Sequence, residues 1–501
     1  VYFLSRPNVQ LPSHVPVLVI GAGPTGLVTA HLLASYGVEV LVVDALPQPL
    51  DIPRAVSIDD ESLRTLDACG QVEALLPHIR QSNGSRYYLP GSVPFADVGP
   101  GPQEYGWPKR SCFHQPDLEQ VLTSTLAEQP AAHLARGATV AAIAQTADAA
   151  HVGLETAAGR HELTADVVIA ADGARSMVRN ALGYTLEGDT YPQDWIVLDL
   201  AHDPNDEPVS QFHCDPARPW VSIPTPFGGR RYEFMLLPGE RGEDMLDLDT
   251  LRRLLAPIRP LPEEDIIRAA IYTFHARLAS KFGEGRIWLV GDAAHLTPPF
   301  AGQGMNAGIR DAHNLAWRAA MVVWGEAPVG ILASYEAERR EPAATMIRLA
   351  VAMGEIVMAV GEEQVKMRDA LLIALNRFPE ASDWLLQMKF KPKPRYDAGL
   401  FVDLNSPLQP PASLVGRMLP NPLVTTDGKT HRLDRLLGNW FAEMGEGTAQ
   451  PWLAEGPDIR ALQPLRAHRD QCLLVRPDRY VAAAGLSPAE VWGAWQRVLN
   501  G

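Results

Sequence analysis

Gly21-Ala22-Gly23-Pro24-Thr25-Gly26 follows directly on the apolar run Val15–Ile20, and together they read as strand, tight turn and helix. In such a turn the first glycine lets the chain leave the strand, and the second lets backbone approach a pyrophosphate. The third lets the helix pack against the sheet. The helix N-terminus adds free N–H groups and the positive end of a dipole for the phosphates. Asp44 ends the next strand, near the ~20-residue offset expected of a ribose-binding acid. Gly21, Gly23, Pro24, Thr25, Gly26 and Asp44 are therefore candidate dinucleotide contacts, without a choice between FAD and NAD.

A second segment makes that choice. Arg286–Val290 reads as a strand that delivers Gly291-Asp292 into a loop, and the Asp292 carboxylate can accept hydrogen bonds from a ribose or ribityl chain. Downstream, the Pro298–Asn306 segment leads into a helix. Gly302 and Gly304 let backbone N–H groups face a flat ring, with Pro299, Met305 and Asn306 beside them. The N-terminal end of that helix stabilises negative charge on a reduced flavin, a state the nicotinamide ring lacks. A third segment, Asp172-Gly173-Ala174-Arg175-Ser176-Met177-Val178-Arg179, again follows an apolar strand and adds Asp172. Together the three point to FAD.

The elements that must position these residues follow from periodicity. Residues 1–45 form a βαβ unit of the expected ~30-residue scale. Between 187 and 284 the pattern changes to alternation with frequent turns, as in an antiparallel sheet. The expected class is α/β: a Rossmann-like FAD-binding domain (1–186 and 285–390), with an inserted antiparallel-sheet substrate domain (187–284). A Pro-rich linker is expected over 391–422, then a small C-terminal region, 423–501.

Composition narrows the partners. A formal charge of -15 argues against nucleic acid and against an anionic membrane surface. Four scattered cysteines show no metal or disulfide spacing, so no metal site is expected and a cytoplasmic location is. No stretch approaches the ~18–20 apolar residues of a membrane span, and Val1-Tyr2-Phe3-Leu4 lacks the basic start of a signal peptide.

The three motifs, in this order, make the chain resemble the class A flavoprotein aromatic hydroxylases, those with the p-hydroxybenzoate hydroxylase fold. Within them it is most similar to the 3-(3-hydroxyphenyl)propionate hydroxylase-like monooxygenases. Further segments carry this: Pro53-Arg54-Ala55, Gly106-Trp107-Pro108, Cys214-Asp215-Pro216, Glu233-Phe234-Met235, Arg310-Asp311-Ala312 and Arg476-Pro477-Asp478-Arg479. The resemblance implies that Arg54 lies near the pyrophosphate and Gln115 near the ribityl chain. It implies a thioredoxin-like C-terminal region, redox-inert because it lacks C-x-x-C. It also implies reduction of FAD by transiently bound NADH or NADPH, then addition of O2 to the reduced flavin to give a C4a-hydroperoxide that attacks a phenolic ring.

For the phenol itself, the strand Val209–His213 and the hairpin after it nominate His213 and Tyr232 as pocket groups for proton transfer. Two alternatives stay open: a tailoring oxygenase acting on a larger polyketide or alkaloid, and an FAD-dependent reductase or flavin-binding module without oxygenation. A homodimer is left open as well.

Overall fold

The computed structural model describes residues 11–81, 83–91, 94–375, 377, 378, 380, 393–404, 413–426, 428–445, 468 and 470–500. A mixed sheet forms its first layer. Along one path its strands run Gly283–Glu284, Ile287–Leu289, Gly159–Ala170, His14–Ile20, Val40–Asp44 and Ala132–Arg136. The pairs Val17↔Val40, Val17↔Val167 and Val168↔Ile287 are parallel. Continuous apolar runs suit strands covered on both faces, and Val17, Leu18, Val19, Val42, Val43, Val168 and Ile169 are fully buried. Helices Pro24–Ser35 and Gly304–Val323 belong to the same core.

This topology brings the three motifs together. Gly21, Asp172 and Gly291 each stand just beyond the carboxyl end of one of three adjacent parallel strands, and Asp44 closes a fourth. In open α/β sheets that edge is where ligands bind.

An eight-stranded sheet forms the second layer, in the order His295–Leu296, Ile266–Ala279, Leu186–Leu200, Arg230–Met235, Trp220–Pro224, Val209–His213, Gly84–Tyr88 and Pro94–Val98. It reaches beyond 187–284, because Gly84–Tyr88 pairs in parallel with Val209–His213. Alternation read within one segment cannot reveal a strand supplied from far away in the chain. One face of this sheet packs on Phe300, Ala301 and helix Ala333–Val357. The opposite face is covered by helix Leu248–Leu255.

The 391–422 segment is not a free linker where it is described. Tyr396, Phe401, Leu414, Met418 and Leu419 are buried with Leu473, Val475 and Tyr480 in a core of their own. Prolines there punctuate a packed segment. The C-terminal region carries the antiparallel strands Ala442–Met444, Cys472–Val475 and Val481–Gly485, then helix Pro488–Asn500. Among the described residues no single helix is long and apolar enough to cross a membrane. Cys69, Cys112, Cys214 and Cys472 are free and buried.

Candidate functional site

The site is first a set of places where side chains are missing. Gly21 has φ +102°, and a Cβ there would run into the carbonyl of Ala171. A Cβ on Gly26 would collide with the Gly21 carbonyl, so helix and turn touch through backbone. Gly23 differs from both: a Cβ on it would meet nothing within 4 Å, which leaves open space over the helix N-terminus. No side chain caps that helix, and Pro24 occupies its first turn. Free N–H groups and vacant space coincide where phosphates would lie.

Thr25 joins the distant motifs. Its hydroxyl would stand 2.9 Å from a Cβ on Gly291, which has φ +60°, while a Cβ on Gly308 would overlap both Thr25 and Gly291. Two glycines from the second motif and its helix thus admit one side chain from the first. Asp311 fixes the same loop from below: its carboxylate accepts from the Gly291 N–H (3.0 Å), pairs with His295 Nε2 (2.6 Å), and accepts from Arg339 (2.8 Å). His295 and Arg339 hold the Asp311 carboxyl below its usual range against the effect of burial. His295 is fully buried in this contact and supports the loop.

Asp292 itself faces open space. The protein packed around it pushes its carboxyl up, and His295 and Arg54 pull it back. Arg54 is exposed and lies 3.9 Å from the buried Glu119, so its guanidinium bridges the surroundings of both motifs. Gln115 is buried, and its amide is spent at both ends: the oxygen accepts from the Ala55 N–H (2.7 Å), and the nitrogen donates to Glu119 (2.7 Å). Its side chain pins the loop bearing Arg54. Asp44 accepts from Ala22 N–H (2.6 Å) and Leu46 N–H (2.8 Å), tying the glycine turn to the second strand. Asp172 accepts from Val178 N–H (3.1 Å) through one oxygen. The other oxygen is buried without a partner, and desolvation raises the carboxyl.

At the second helix, Gln303 begins Gly304–Val323 without a side-chain cap. A Cβ on Gly304 would meet only the Thr297 carbonyl, at 3.9 Å. Pro299 is exposed and Met305 half-buried at this mouth, and Gly302 takes a positive φ of 62°. Asn306 is buried: its oxygen accepts from Asp59 N–H (3.1 Å) and the Ser62 hydroxyl (2.7 Å), and its nitrogen donates to Ser57 and Gly302 carbonyls. The Asn306 side chain builds the turn, which leaves its backbone to any ligand. Arg310 closes the assembly through Asp59 and Glu61, the latter at 2.9 Å.

Two uncapped helix ends, vacant glycine positions and an orphaned Asp172 oxygen border one sheet edge, with Arg54 and Asp292 beside them. The donor set fits an adenine dinucleotide carrying an anionic ring. Residues 14–350 match the family model described as FAD binding domain. The chain belongs to this family of FAD-dependent hydroxylases.

Its curated relatives include 3-(3-hydroxy-phenyl)propionate/3-hydroxycinnamic acid hydroxylase 2 of Burkholderia vietnamiensis, 40 % identical and covering 93 % of either chain. The Escherichia coli enzyme of the same name without the numeral is 38 % identical over 96 % of this chain and 87 % of its own. Among solved structures, the flavin-dependent monooxygenase PieE, in complex with FAD and substrate, aligns with TM-score 0.80 at 20 % identity, over 97 % of this chain and 99 % of its own. Aklavinone-11 hydroxylase, with FAD and aklavinone, aligns with TM-score 0.77 at 23 % identity, over 98 % and 100 %. These two likenesses establish the fold.

For this FAD-dependent hydroxylase, the sheet above Phe300 sorts the remaining candidates by face. Register places Tyr87, Phe212, Val221, Glu233 and Val197 in one row on the side of Phe300. His213 and Tyr232 alternate with that row and lie on the other face. The Tyr232 hydroxyl donates to Asp203 (3.0 Å), and its ring is buried under helix Leu248–Leu255. His213 is stacked between Tyr88 (4.7 Å) and Trp220 (3.5 Å), and burial lowers its pKa to about 4. Gln211 shares the face of His213 by period-2 alternation; which face meets the cofactor is set by the layers packed outside.

The face toward Phe300 holds groups that sequence reading missed. Trp195 lies 6.0 Å and Tyr191 6.5 Å from the Phe300 ring, and Phe274 packs edge-on at 5.6 Å. The Trp195 Nε1–H and the hydroxyls of Tyr191 and Tyr87 are buried without partners. Arg231 donates to Asp199 (2.7 Å), to the Arg54 carbonyl (2.7 Å) and to the Pro53 carbonyl. Glu233 stands beside it. The available signal was the alternation Arg231-Tyr232-Glu233-Phe234-Met235, whose odd positions share a face.

Proposed function

We propose that this chain hydroxylates a small phenolic acid of the kind named for its curated relatives, 3-(3-hydroxyphenyl)propionate or 3-hydroxycinnamate, using NADH or NADPH and O2. One observation carries the reading: an aromatic cluster at Phe300 with unsatisfied hydrogen-bonding groups on the adjoining Trp195 and Tyr191. Buried polar groups ordinarily have partners, and an oxygen-bearing aromatic molecule supplies ring and acceptor together.

Bound FAD supplies the electron transfer from the nicotinamide and the activation of O2. The protein's part is positional. Uncapped N–H groups at Gly23–Thr25 and Gly304–Asn306, with Arg54, balance cofactor charge; Asp292 and Asp44 accept from its sugar hydroxyls. Pro299 and Phe300 form the apolar wall that keeps water from the ring to be oxidised. The described ββα order of Cys472–Val475, Val481–Gly485 and Pro488–Asn500 supports a thioredoxin-like C-terminal region without redox chemistry of its own. It braces the cofactor helix: Arg476 pairs with Glu338 (2.7 Å) and Asp478, and Asn314 donates to Glu338 (2.7 Å).

The test is aerobic NAD(P)H oxidation by the purified yellow protein against a panel of 3-hydroxyphenyl acids, simple phenols and polycyclic phenols, with products identified by mass spectrometry. Small phenolic acids are expected to accelerate oxidation and gain one oxygen atom. Acceleration by polycyclic phenols alone would overturn the reading in favour of a tailoring oxygenase. The proposed compartment is the cytoplasm, and light scattering of the same sample reads the assembly state.

A further inference from the structure

We propose that Glu233 is the proton acceptor for the hydroxyl of the aromatic substrate, an inference that rests on the phenolic reading above. The sheet face toward Phe300 carries two carboxylates on neighbouring strands, Asp199 and Glu233, and they are in different states. Both oxygens of Asp199 are engaged by Arg231, at 2.7 and 3.1 Å. Among the described residues the Glu233 side chain has no hydrogen-bond partner; its nearest counter-charge is Arg231 Nη1, at 3.8 Å. Its side chain is nine-tenths buried and keeps a small exposed surface. In the register Glu233 is flanked by Val221 and Val197; Trp195 and Asp199 are its diagonal neighbours on the strand Leu186–Leu200, and Met235 follows on its own strand and face. Diagonal pairs on one face lie ~7–8 Å apart, so the carboxylate and the unpartnered Trp195 N–H stand as neighbours on the face toward Phe300.

Of the charged and titratable groups on the elements around it, Arg231 and Asp199 act on its proton affinity. On its own strand stands Arg231; on the strand Leu186–Leu200, Asp199; on Ile266–Ala279, Arg268 and Tyr272. Arg54 lies on the loop below, and Glu355 on the helix beyond Phe300. Arg268 is occupied by the Pro53 carbonyl (3.2 Å) and the Tyr272 hydroxyl (2.9 Å). Burial and Asp199 raise the Glu233 carboxyl, while Arg231 restrains the rise. A carboxylate held more basic than usual, beside an unpartnered Trp195 N–H on the same sheet face, suits a general base. In the step, the phenol O–H bond breaks and a Glu233 O–H bond forms. The electron pair stays on the phenolate oxygen, and the proton then passes to solvent.

The experiment compares the wild-type holoenzyme with Glu233→Gln and Glu233→Asp, using 3-(3-hydroxyphenyl)propionate and ring-fluorinated analogues whose hydroxyls are more acidic. Product formation, FAD occupancy and the pH–rate profile are measured together. Glu233→Gln is expected to retain FAD and lose about 100-fold in product formation at pH 7, the lower end of general-base contributions. Its rate should climb toward the free phenol's ionisation near ~10, and rise with fluorination. Glu233→Asp should keep the wild-type profile at an intermediate rate. Glu233→Gln turning over at the wild-type rate with an unshifted profile would overturn the proposal and leave the phenolic reading intact. Loss of FAD in both variants would also overturn it, making Glu233 a structural residue. A wild-type enzyme stimulated by no phenol would bring down the substrate reading, and this inference with it.

Discussion

The cofactor seam and the antiparallel roof are built on opposite principles. At the seam, recognition is made by backbone and by absence: Gly21, Gly26, Gly291 and Gly308 stand where a Cβ would strike a neighbour, and Gly23 where one would fill vacant space. At the roof, the surface is made by side chains whose direction reverses at every residue. Trp195, Glu233 and Phe212 face Phe300, while Tyr232 and His213 face away. Errors in the two regions therefore have different costs. A methyl group at the seam obstructs folding and cofactor together, whereas at the roof the same strand tolerates change on one face and not on the other.

The largest expected effect is at the seam. Gly26→Ala puts a Cβ into the Gly21 carbonyl, and both partners are backbone, so neither can yield cheaply. Overpacking of this kind costs ~1–3 kcal/mol or more, and here it also displaces the turn meant for phosphate. Purified Gly26→Ala protein is expected to hold no flavin and to melt well below wild type. Full FAD content in this variant would break the view that helix and turn must touch.

Asp292→Ala comes next, because it removes ligand contacts without a steric clash. Hydrogen bonds to a charged group contribute ~1.5–3 kcal/mol, equivalent to about 10- to 100-fold weaker FAD binding by titration. The apoprotein should remain folded, since Gly291 is still held by Asp311 and Thr25. Unchanged affinity would remove Asp292 from the cofactor groove.

Glycine constraints explain why the seam was legible in the sequence. A residue type that is required by backbone geometry leaves its mark in the chain itself, and order and spacing then identify the cofactor. Asp44, Asp172 and Asp292 could be singled out by position, Asp44 as the last residue of its strand and the other two within three residues beyond theirs. Gln115 and Asn306, singled out as cofactor contacts, turn their amides inward to Ala55, Glu119, Ser57 and Gly302. The roof was legible only as a sheet. Period-2 alternation groups Tyr232 with Phe234 and Arg231 with Glu233, but it is silent on which group meets Phe300. Helix Leu248–Leu255 decides that by covering one face, and strand Gly84–Tyr88 by joining from outside the segment.

On the inner face, Trp195→Phe tests the roof directly. It removes the unpartnered N–H while keeping a ring against Phe274 and Phe300. Stability is expected to hold within ~1 kcal/mol, because loss of an unsatisfied donor offsets lost packing. The fraction of NAD(P)H oxidation that yields hydroxylated product should fall about 10-fold, the worth of one hydrogen bond of ~1.4 kcal/mol. Unchanged coupling would show that the aromatic cluster at Phe300 is not where substrate is held.

The smallest effects belong to the outer face, and they should appear in stability alone. Tyr232→Phe deletes one hydrogen bond to Asp203 and is expected to cost ~1 kcal/mol with product formation unchanged. His213→Phe makes a sharper test, because its signature depends on pH. The folded pKa of His213 is lowered from 6.5 to about 4 by burial between Tyr88 and Trp220. Below pH 6.5 the unfolded chain takes up a proton that the folded chain refuses, so wild-type stability falls as pH drops from 6.5 toward 4. Phenylalanine preserves the stack and has no proton to bind. Thermal melts of His213→Phe should therefore show a shallower decline between pH 6.5 and 5 than wild type, with turnover at pH 7 and its pH profile untouched. A turnover loss in this variant would place the outer face in the chemistry and reverse the assignment of the two faces.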